Sequence, residues 1–250
     1  MKGALGSLET DFKPQFSSDE SNPFWNRYRL ICFEPAGYGR SRPPARTWPT
    51  ASFLQRDAAD CGFCLNELGI QKANLIGWSD GGITAICMAG NSEYGHLVDK
   101  LVIWGSNATM SEVDRTAYLG MRDVANWSAR MRASFEAVYG EEFPGLWAAW
   151  VDSFITYLDE RNGDVCMTEL KKVTAPTLII HGDKDPMVGI DLAKEIESVL
   201  IDNKVPVEYK NIPDGKHNLH FKYKGIGSSV ILSIITTQSG TAFSPVDIEP

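Results

Sequence analysis

The feature that most constrains the fold is the string Gly77-Trp-Ser-Asp-Gly-Gly82 together with its two flanks. An apolar run at residues 73–76 leads into it, and apolar residues at helical spacing follow it at 82–89. A strand that turns directly into a helix brings backbone atoms close together, and glycines around Ser79 remove Cβ atoms that would collide there. The pattern therefore predicts a strand, a sharp turn and a helix, with Ser79 raised in the turn.

Strand-like runs recur along the chain with helical patterns between them. Their near-continuous apolar character is typical of parallel strands that are covered on both faces. This alternation predicts an α/β fold with a doubly wound, mostly parallel sheet. The predicted strands are residues 28–33, 73–76, 101–104, 177–180 and 205–209, and the predicted helices are residues 53–68, 82–89 and 191–200.

One segment interrupts the alternation, from about residue 106 to residue 168, where helical spacing persists without a convincing strand. We interpret it as a helical cap inserted into a single domain that spans residues 1–250. Trp127, Trp147 and Trp150 are expected to be core residues under this cap, and the alternative is that they line an apolar substrate pocket.

A serine at its ordinary pKa is a poor nucleophile, so Ser79 needs a base and a group that orients the base. Asp185 follows the predicted strand 177–180, and His217 lies in the loop after 205–209. The order Ser, Asp, His is the one found in α/β-hydrolases, which predicts Ser79 as nucleophile, Asp185 as acid and His217 as base. Asp183 is the alternative for the acid, and His220 is the alternative for the base.

Transition-state stabilisation would need backbone N–H groups near Ser79. The N–H of Asp80 and one from the loop at residues 3–6, either Ala4 or Leu5, are the expected oxyanion hole. This chemistry needs no cofactor. A metal site built from His217 and His220 is disfavoured because no third ligand converges on them in the sequence.

Composition limits the partners. A net charge of -8 and a pI near 5.1 give no electrostatic footprint for nucleic acid, so a small neutral or cationic molecule is the expected ligand of a monomeric enzyme. The apolar stretch at residues 230–235 is far shorter than the roughly 20 residues of a membrane span. Residues 1–10 have no pattern of a signal or transit peptide, which predicts an intracellular protein.

The five cysteines, an odd number, lie in apolar runs, which predicts buried free thiols rather than disulfides. Cys61 and Cys64 have the spacing of a redox motif, but they fall inside a helical pattern. They are therefore expected to be two packed helix residues.

Several strings together resemble one family, the biphenyl hydrolase-like serine hydrolases, also called valacyclovir hydrolases. The strings Trp-Ser-Asp-Gly-Gly and Gly-Lys-His-Asn-Leu-His are far more specific than a bare strand-turn-helix motif, and the resemblance covers roughly residues 3–222. It is carried by Gly-Ser-Leu-Glu-Thr-Asp-Phe at 6–12, Gly-Tyr-Gly-Arg-Ser-Arg-Pro-Pro at 37–44, Gly-Trp-Ser-Asp-Gly-Gly-Ile-Thr at 77–84, Val-Ile-Trp-Gly at 102–105, Arg122-Asp123 with Trp127, and Gly-Lys-His-Asn-Leu-His at 215–220.

The resemblance implies the α/β-hydrolase fold, the same triad and hydrolysis of α-amino-acid esters. It also implies that the carboxylate of Asp80 binds the α-ammonium group of the substrate; the alternative is that Asp80 shapes the first helical turn. Family members are mitochondrial, whereas no targeting segment is evident in this chain, so the cytoplasm is the alternative compartment.

The chain departs from the family pattern at both ends. The resemblance implies three strands before the loop at residues 3–6 and a final helix, and we expect this sequence to lack those strands and to carry an atypical tail at 225–250 in place of the helix. An incomplete sheet is expected to weaken the scaffold. The predicted function is hydrolysis of small carboxylic esters; the alternatives are hydrolysis of C–C or other acyl bonds on the same triad, and a truncated form without catalytic activity.

Overall fold

The computed structural model describes residues 1–16 and 28–222. Its centre is a parallel sheet in which the strands stand in chain order. The strands are β1 (Ala73–Trp78), β2 (Val98–Trp104), β3 (Thr177–Gly182) and β4 (Val207–Ile212). All four overlap strands predicted from the sequence, and the predicted α/β-hydrolase fold with a parallel sheet is confirmed.

Helices connect these strands. Each of the three predicted helices is present, with ends that differ by no more than two residues. The helices are α1 (Phe53–Glu67), α2 (Asp80–Ala89), α3 (Glu112–Gly120), α4 (Ala129–Tyr139), α5 (Phe143–Arg161), α6 (Met167–Leu170), α7 (Ile190–Asp202) and α8 (Leu219–Lys222), with short helical turns at Leu8–Phe12, Lys13–Phe16, Gly95–Leu97, Val124–Asn126 and Gly140–Glu142.

The two faces of the sheet pack against different layers. In β2, Leu101 and Ile103 belong to the large core that includes residues of α1, α2 and α7. The alternate residues Val102 and Trp104 face a smaller core that also contains Phe12 and Leu219. The period of two along a strand sends neighbouring side chains to opposite faces, which is why a strand covered on both sides reads as a continuous apolar run.

The predicted strand at residues 28–33 is wrong. These residues are described, but they form no strand. Ile31 and Phe33 line a cavity of about 360 Å³ together with Ala73 and Ile76 of β1. Because that space separates the segment from the edge of β1, the backbone hydrogen bonds that define a strand are not made to β1.

The N-terminal residue lies at this same edge of the sheet. The N–H of Trp78 donates to the carbonyl of Met1 at 3.2 Å, and the amino group of Met1 donates to the carbonyl of Ile76. These bonds place the loop at residues 3–6 directly beside the end of β1. The tail at 225–250, for which an atypical structure was predicted, lies outside the described residues.

Helices α3 to α6 occupy the interval between β2 and β3, where the cap was predicted. Trp147 and Trp150 are buried in it and contact each other with ring centroids 4.6 Å apart. Trp127 packs edge-on against Trp147, also at 4.6 Å. The three tryptophans thus form an aromatic core, as one of the two sequence interpretations predicted. No helix among residues 1–16 and 28–222 is long and apolar enough to cross a membrane.

The cysteines are free, as predicted. Cys61 and Cys64 both lie on α1, but only Cys61 is buried, so the prediction that both pack in the interior is wrong for Cys64. Three residues along a helix turn a side chain by about 300°, enough to move Cys64 to the edge of the buried face. Burial raises the pKa of Cys61 to about 12 and also raises that of Cys64, the opposite of what a reactive thiol needs.

Candidate active site

The turn between β1 and α2 holds Ser79 in a backbone conformation that side chains rarely adopt, with φ 55° and ψ −127°. Glycine is required at nearby positions because other backbone atoms approach them closely. A Cβ on Gly77 would overlap the backbone of Gly81, and a Cβ on Gly81 would overlap the carbonyl groups of Met1 and Lys2. The local sequence thus produces a strained turn in which only glycine fits at positions 77 and 81.

Three side chains form a chain of hydrogen bonds at the carboxyl ends of the strands. Nε2 of His217 lies 3.0 Å from Oγ of Ser79, and Nδ1 of His217 lies 2.8 Å from Oδ2 of Asp185. Ser79 follows β1, Asp185 follows β3 and His217 follows β4. Because parallel strands end at one edge of the sheet, residues 138 positions apart meet there.

The carboxylate of Asp185 is almost completely buried and fully engaged. Its Oδ1 accepts hydrogen bonds from the N–H groups of Met187 and Val188 at 2.8 and 3.0 Å, while its Oδ2 faces His217. Burial alone would raise the pKa of Asp185. The hydrogen bond and charge of His217, together with the two backbone donors, outweigh burial and hold the pKa below its ordinary value. Asp185 therefore stays ionised and can hold Nδ1 of His217 in its protonated form.

The two alternative residues have other contacts. Oδ1 of Asp183 accepts a hydrogen bond from the N–H of Asp214 at 2.7 Å, which fixes the loop before His217. Nδ1 of His220 accepts from Nε1 of Trp104 at 3.2 Å in the small core. Burial, reinforced by the charge of His217, lowers the pKa of His220 to about 3, so that it is neutral. Neither residue contacts Ser79 in the geometry found for His217.

The loop at residues 3–6 lies against the serine. The N–H of Gly6 donates to the carbonyl of Gly3 at 3.0 Å, and a Cβ on Gly3 would lie 3.6 Å from that of Ser79. Leu5, at φ 49°, is fully buried in the core and anchors the turn. Asp80 is the first residue of α2, where backbone N–H groups have no acceptor within the helix. The loop at residues 3–6 and the start of α2, the two predicted sources of oxyanion donors, thus both lie next to Ser79.

The side chain of Asp80 is buried between the turn and the cap. Its Oδ2 accepts a hydrogen bond from Nε1 of Trp150 at 2.7 Å. Burial raises the pKa of Asp80 to about 6, and the hydrogen bond from Trp150 and the charge of Lys2 limit the rise. Trp150 was interpreted from the sequence as a core or pocket residue, and its role as a donor to Asp80 was missed, since 70 residues separate the two.

Sequence reasoning also missed three buried charges near Asp80. Arg46 donates to both carboxylate oxygens of Asp57, at 2.8 and 2.7 Å, and Lys2 is buried close by. An arginine in a loop and a lysine at position 2 carry no signal of burial, because such residues are mostly exposed. The sequence did contain one indication of this cluster, Asp57 on the inner face of α1, because a buried carboxylate requires a partner.

The cavity of about 360 Å³ at the edge of β1 is not lined by Ser79, Asp185 or His217. Within residues 1–16 and 28–222, no group of three or more His, Cys, Asp or Glu side chains is arranged to hold a metal ion.

Comparison with known proteins agrees with the fold and places the chain in a family. The family model described as alpha/beta hydrolase fold matches residues 3–156. The chain therefore belongs to the α/β-hydrolase family. It is 39% identical over 224 residues to Serine hydrolase BPHL of Homo sapiens, covering 89% of this chain and 73% of that protein, and the same values hold for Serine hydrolase BPHL of Mus musculus. These relatives confirm the resemblance predicted from the sequence and identify the chain as a hydrolytic enzyme.

Solved structures share the architecture. A meta-cleavage product hydrolase (CumD) from Pseudomonas fluorescens IP01 superposes with a TM-score of 0.70 at 17% identity, covering 92% of this chain and 87% of that one. NosK from Streptomyces actuosus also gives 0.70 at 17% identity, covering 93% and 94%. At this level of identity the likeness establishes the fold alone.

Proposed function

We propose that the chain hydrolyses small carboxylic esters, above all α-amino-acid esters, through Ser79, His217 and Asp185. The single observation that carries the proposal is the continuous hydrogen-bonded chain from Oγ of Ser79 through His217 to Asp185. A nucleophile within reach of a base, with the base held by a third group, is the arrangement that activates a serine.

Each group has one role in the reaction. His217 takes the proton of Ser79 at Nε2 as Oγ attacks the ester carbonyl carbon, and the ionised Asp185 stabilises the imidazolium that forms. His217 then gives that proton to the departing alcohol, which leaves an acyl group on Ser79. A water molecule, deprotonated by His217, releases the carboxylic acid and restores the serine.

The negative oxygen of each tetrahedral intermediate needs donors that are already in position. The N–H of Asp80 at the start of α2 and an N–H from Ala4 or Leu5 are the donors we propose. The positive end of the α2 dipole lies at the same point and favours the developing charge. Loss of one such donor in other hydrolases costs roughly 10² to 10³ in rate.

The side chain of Asp80 is proposed to bind the α-ammonium group of the substrate. It is a buried carboxylate next to the nucleophile, and Trp150 donates to only one of its oxygens among the described contacts. A charge-assisted hydrogen bond between a carboxylate and an ammonium in such surroundings is stronger than a neutral one. The name of the human and mouse relatives, serine hydrolase, supports the reaction class and says nothing of the acyl group.

The test is covalent labelling by a fluorophosphonate, which reacts with activated serines. We expect the chain to be labelled, the Ser79→Ala variant to be unlabelled, and the variant Ser92→Ala, which changes an exposed serine, to be labelled like the wild type. Heat-denatured protein is a second control, because it keeps every hydroxyl and loses the geometry. A folded wild-type chain that is not labelled would refute the proposal.

A substrate panel then tests the acyl preference. We expect cleavage of valine and phenylalanine esters and no cleavage of dienone-type substrates, whose C–C bonds other members of the fold hydrolyse. Preferential cleavage of the dienones would replace the ester proposal with C–C bond hydrolysis on the same triad.

A further inference from the structure

Behind Asp80 lies a group of buried charges that the proposed reaction does not use. It consists of Lys2, Arg46 and Asp57, packed around the ring of Tyr38, and we call it the buried charge cluster. Lys2, Tyr38, Asp57 and Asp80 line one cavity of about 10 Å³. Such a cavity has room for about one water-sized group. Lys2 and Asp57 of the cluster therefore line the same small cavity as the carboxylate proposed to bind substrate.

The ammonium group of Lys2 lies over the ring of Tyr38. The side chain is 4% exposed, and its Nζ lies 3.3 Å from the centroid of the Tyr38 ring. The guanidinium of Arg46 lies 4.3 Å from the centroid of the same ring. The hydroxyl of Tyr38 is buried and has no hydrogen-bond partner within the described part of the chain. A ring in contact with two cations fixes both of them in position.

Asp57 and Asp80 differ in the cations that contact them. Asp57 accepts hydrogen bonds from two nitrogens of Arg46 and forms a further ion pair with Arg56 at 3.0 Å, so its charge is balanced by two arginines. Among the positive charges that favour ionised Asp80, Lys2 acts more strongly than Arg46. Lys2 in turn is stabilised as a cation by Asp57, Asp11 and Asp80, although its burial lowers its pKa to about 7. Lys2 is thus the cation that lines the cavity together with Asp80, whereas Arg46 is paired with Asp57.

We infer that Lys2 is a specificity-determining residue: its ammonium, in the cavity it shares with Asp80, discriminates against acyl groups that bring a second ammonium. The inference rests on the proposed binding of an α-ammonium group by Asp80. A substrate cation next to Asp80 is repelled by Lys2 and competes with it for the same carboxylate. Lys2 therefore lowers the preference for α-amino esters below what Asp80 alone would give.

The experiment compares two esters of the same alcohol and nearly the same shape, the 4-nitrophenyl esters of valine and of 3-methylbutanoic acid. The measured quantity is the ratio of their kcat/KM values, because general damage to the enzyme lowers both alike. The assay is run near pH 6.5, between the pKa values of Lys2 and Asp80, which lie at about 7 and about 6. Spontaneous hydrolysis of each ester is subtracted.

In the Lys2→Met variant we expect the ratio to rise about tenfold, the effect of removing one like charge from partly buried surroundings. Lys2→Arg keeps the charge and is expected to keep the ratio within about threefold of the wild type. Lys172→Met changes an exposed lysine and is the control for loss of a surface charge. Lys2→Gln is a second neutral variant for the case in which Lys2→Met does not fold.

The variant Asp80→Asn separates the two proposals. If Asp80→Asn lowers the ratio while Lys2→Met and Lys2→Gln leave it unchanged, the role of Lys2 is overturned and that of Asp80 is supported. If Asp80→Asn also leaves the ratio unchanged, Asp80 does not bind the ammonium group and both ideas are overturned. A Lys2→Met variant that melts at a lower temperature with an unchanged ratio assigns Lys2 a structural role only, and this too overturns the inference.

Discussion

Replacing Asp185 by asparagine tests the proposed catalytic chain with almost no change of shape. Asparagine can keep the oxygen that accepts from the N–H groups of Met187 and Val188, at 2.8 and 3.0 Å. Its amide nitrogen then occupies the place of Oδ2, which lies 2.8 Å from Nδ1 of His217. An N–H facing Nδ1 makes that nitrogen an acceptor, so the proton of the neutral ring moves to Nε2.

A proton on Nε2 removes the base, because that nitrogen faces Oγ of Ser79 at 3.0 Å and must accept its proton. The corresponding change in a serine protease lowers kcat by about 10⁴, and with about 1.36 kcal/mol per factor of ten this corresponds to about 5.4 kcal/mol of transition-state stabilisation. We expect Asp185→Asn to lose kcat/KM by roughly that factor.

The assay is ester hydrolysis together with the rate of fluorophosphonate labelling, measured on protein with a cooperative thermal transition. The control is Asp183→Asn, which alters an exposed carboxylate on the same loop and is expected to change the rate by less than about threefold. An Asp185→Asn variant that retains more than about a tenth of wild-type activity would refute the reasoning, since a wrongly protonated ring leaves no base.

Three further predictions concern stability and thiol chemistry. Asp57→Ala should cost about 3 to 5 kcal/mol of unfolding free energy, measured in urea, because it strands the buried Arg46, whereas the double change Arg46→Met with Asp57→Leu should cost far less; equal losses would contradict this. The pKa of Asp185 is below its ordinary value, so the ionised carboxylate stabilises the folded state above about pH 4, and this stabilisation is lost as the pH falls through the lower, folded-state pKa. In thermal melts the melting temperature of the wild type should therefore exceed that of Asp185→Asn by less as the pH is lowered. A difference in melting temperature that does not change with pH would be the contrary result. Cys64 should be alkylated before Cys61, whose burial raises its pKa to about 12, as measured by mass spectrometry over time, and modification of Cys61 first would be the opposite outcome.

The parts of this structure that were predictable depend on local sequence. The turn at Ser79 was recognisable because its glycines are demanded by contacts within a few residues. Strands β2 and β3 were recognisable because both of their faces are covered, which leaves a nearly continuous apolar run. Asp185 and His217 could be selected because parallel strands deliver the residues that follow them to one edge.

The parts that were missed depend on contacts between distant segments. Residues 28–33 have the composition of a strand, but a strand also needs a neighbour to receive its hydrogen bonds. The burial of Lys2 depends on Tyr38 and Asp57, and the donor to Asp80 comes from Trp150 in the cap. Among these residues only Asp57, a carboxylate on the inner face of α1, signals locally that it needs a partner, and its local pattern does not show which residue that partner is.

The bond from Nε1 of Trp78 to the carbonyl of His217, at 2.9 Å, joins the residue before the proposed nucleophile to the loop that carries the proposed base. The chain is made from its N-terminus, so the serine turn exists in the nascent polypeptide long before position 217 has been synthesised. Until the last strand of the sheet docks, Ser79 is an ordinary alcohol. On the proposed mechanism, reactivity of Ser79 therefore marks the docking of the segment that carries His217, and a nascent chain that has been synthesised only as far as the cap has no activated serine.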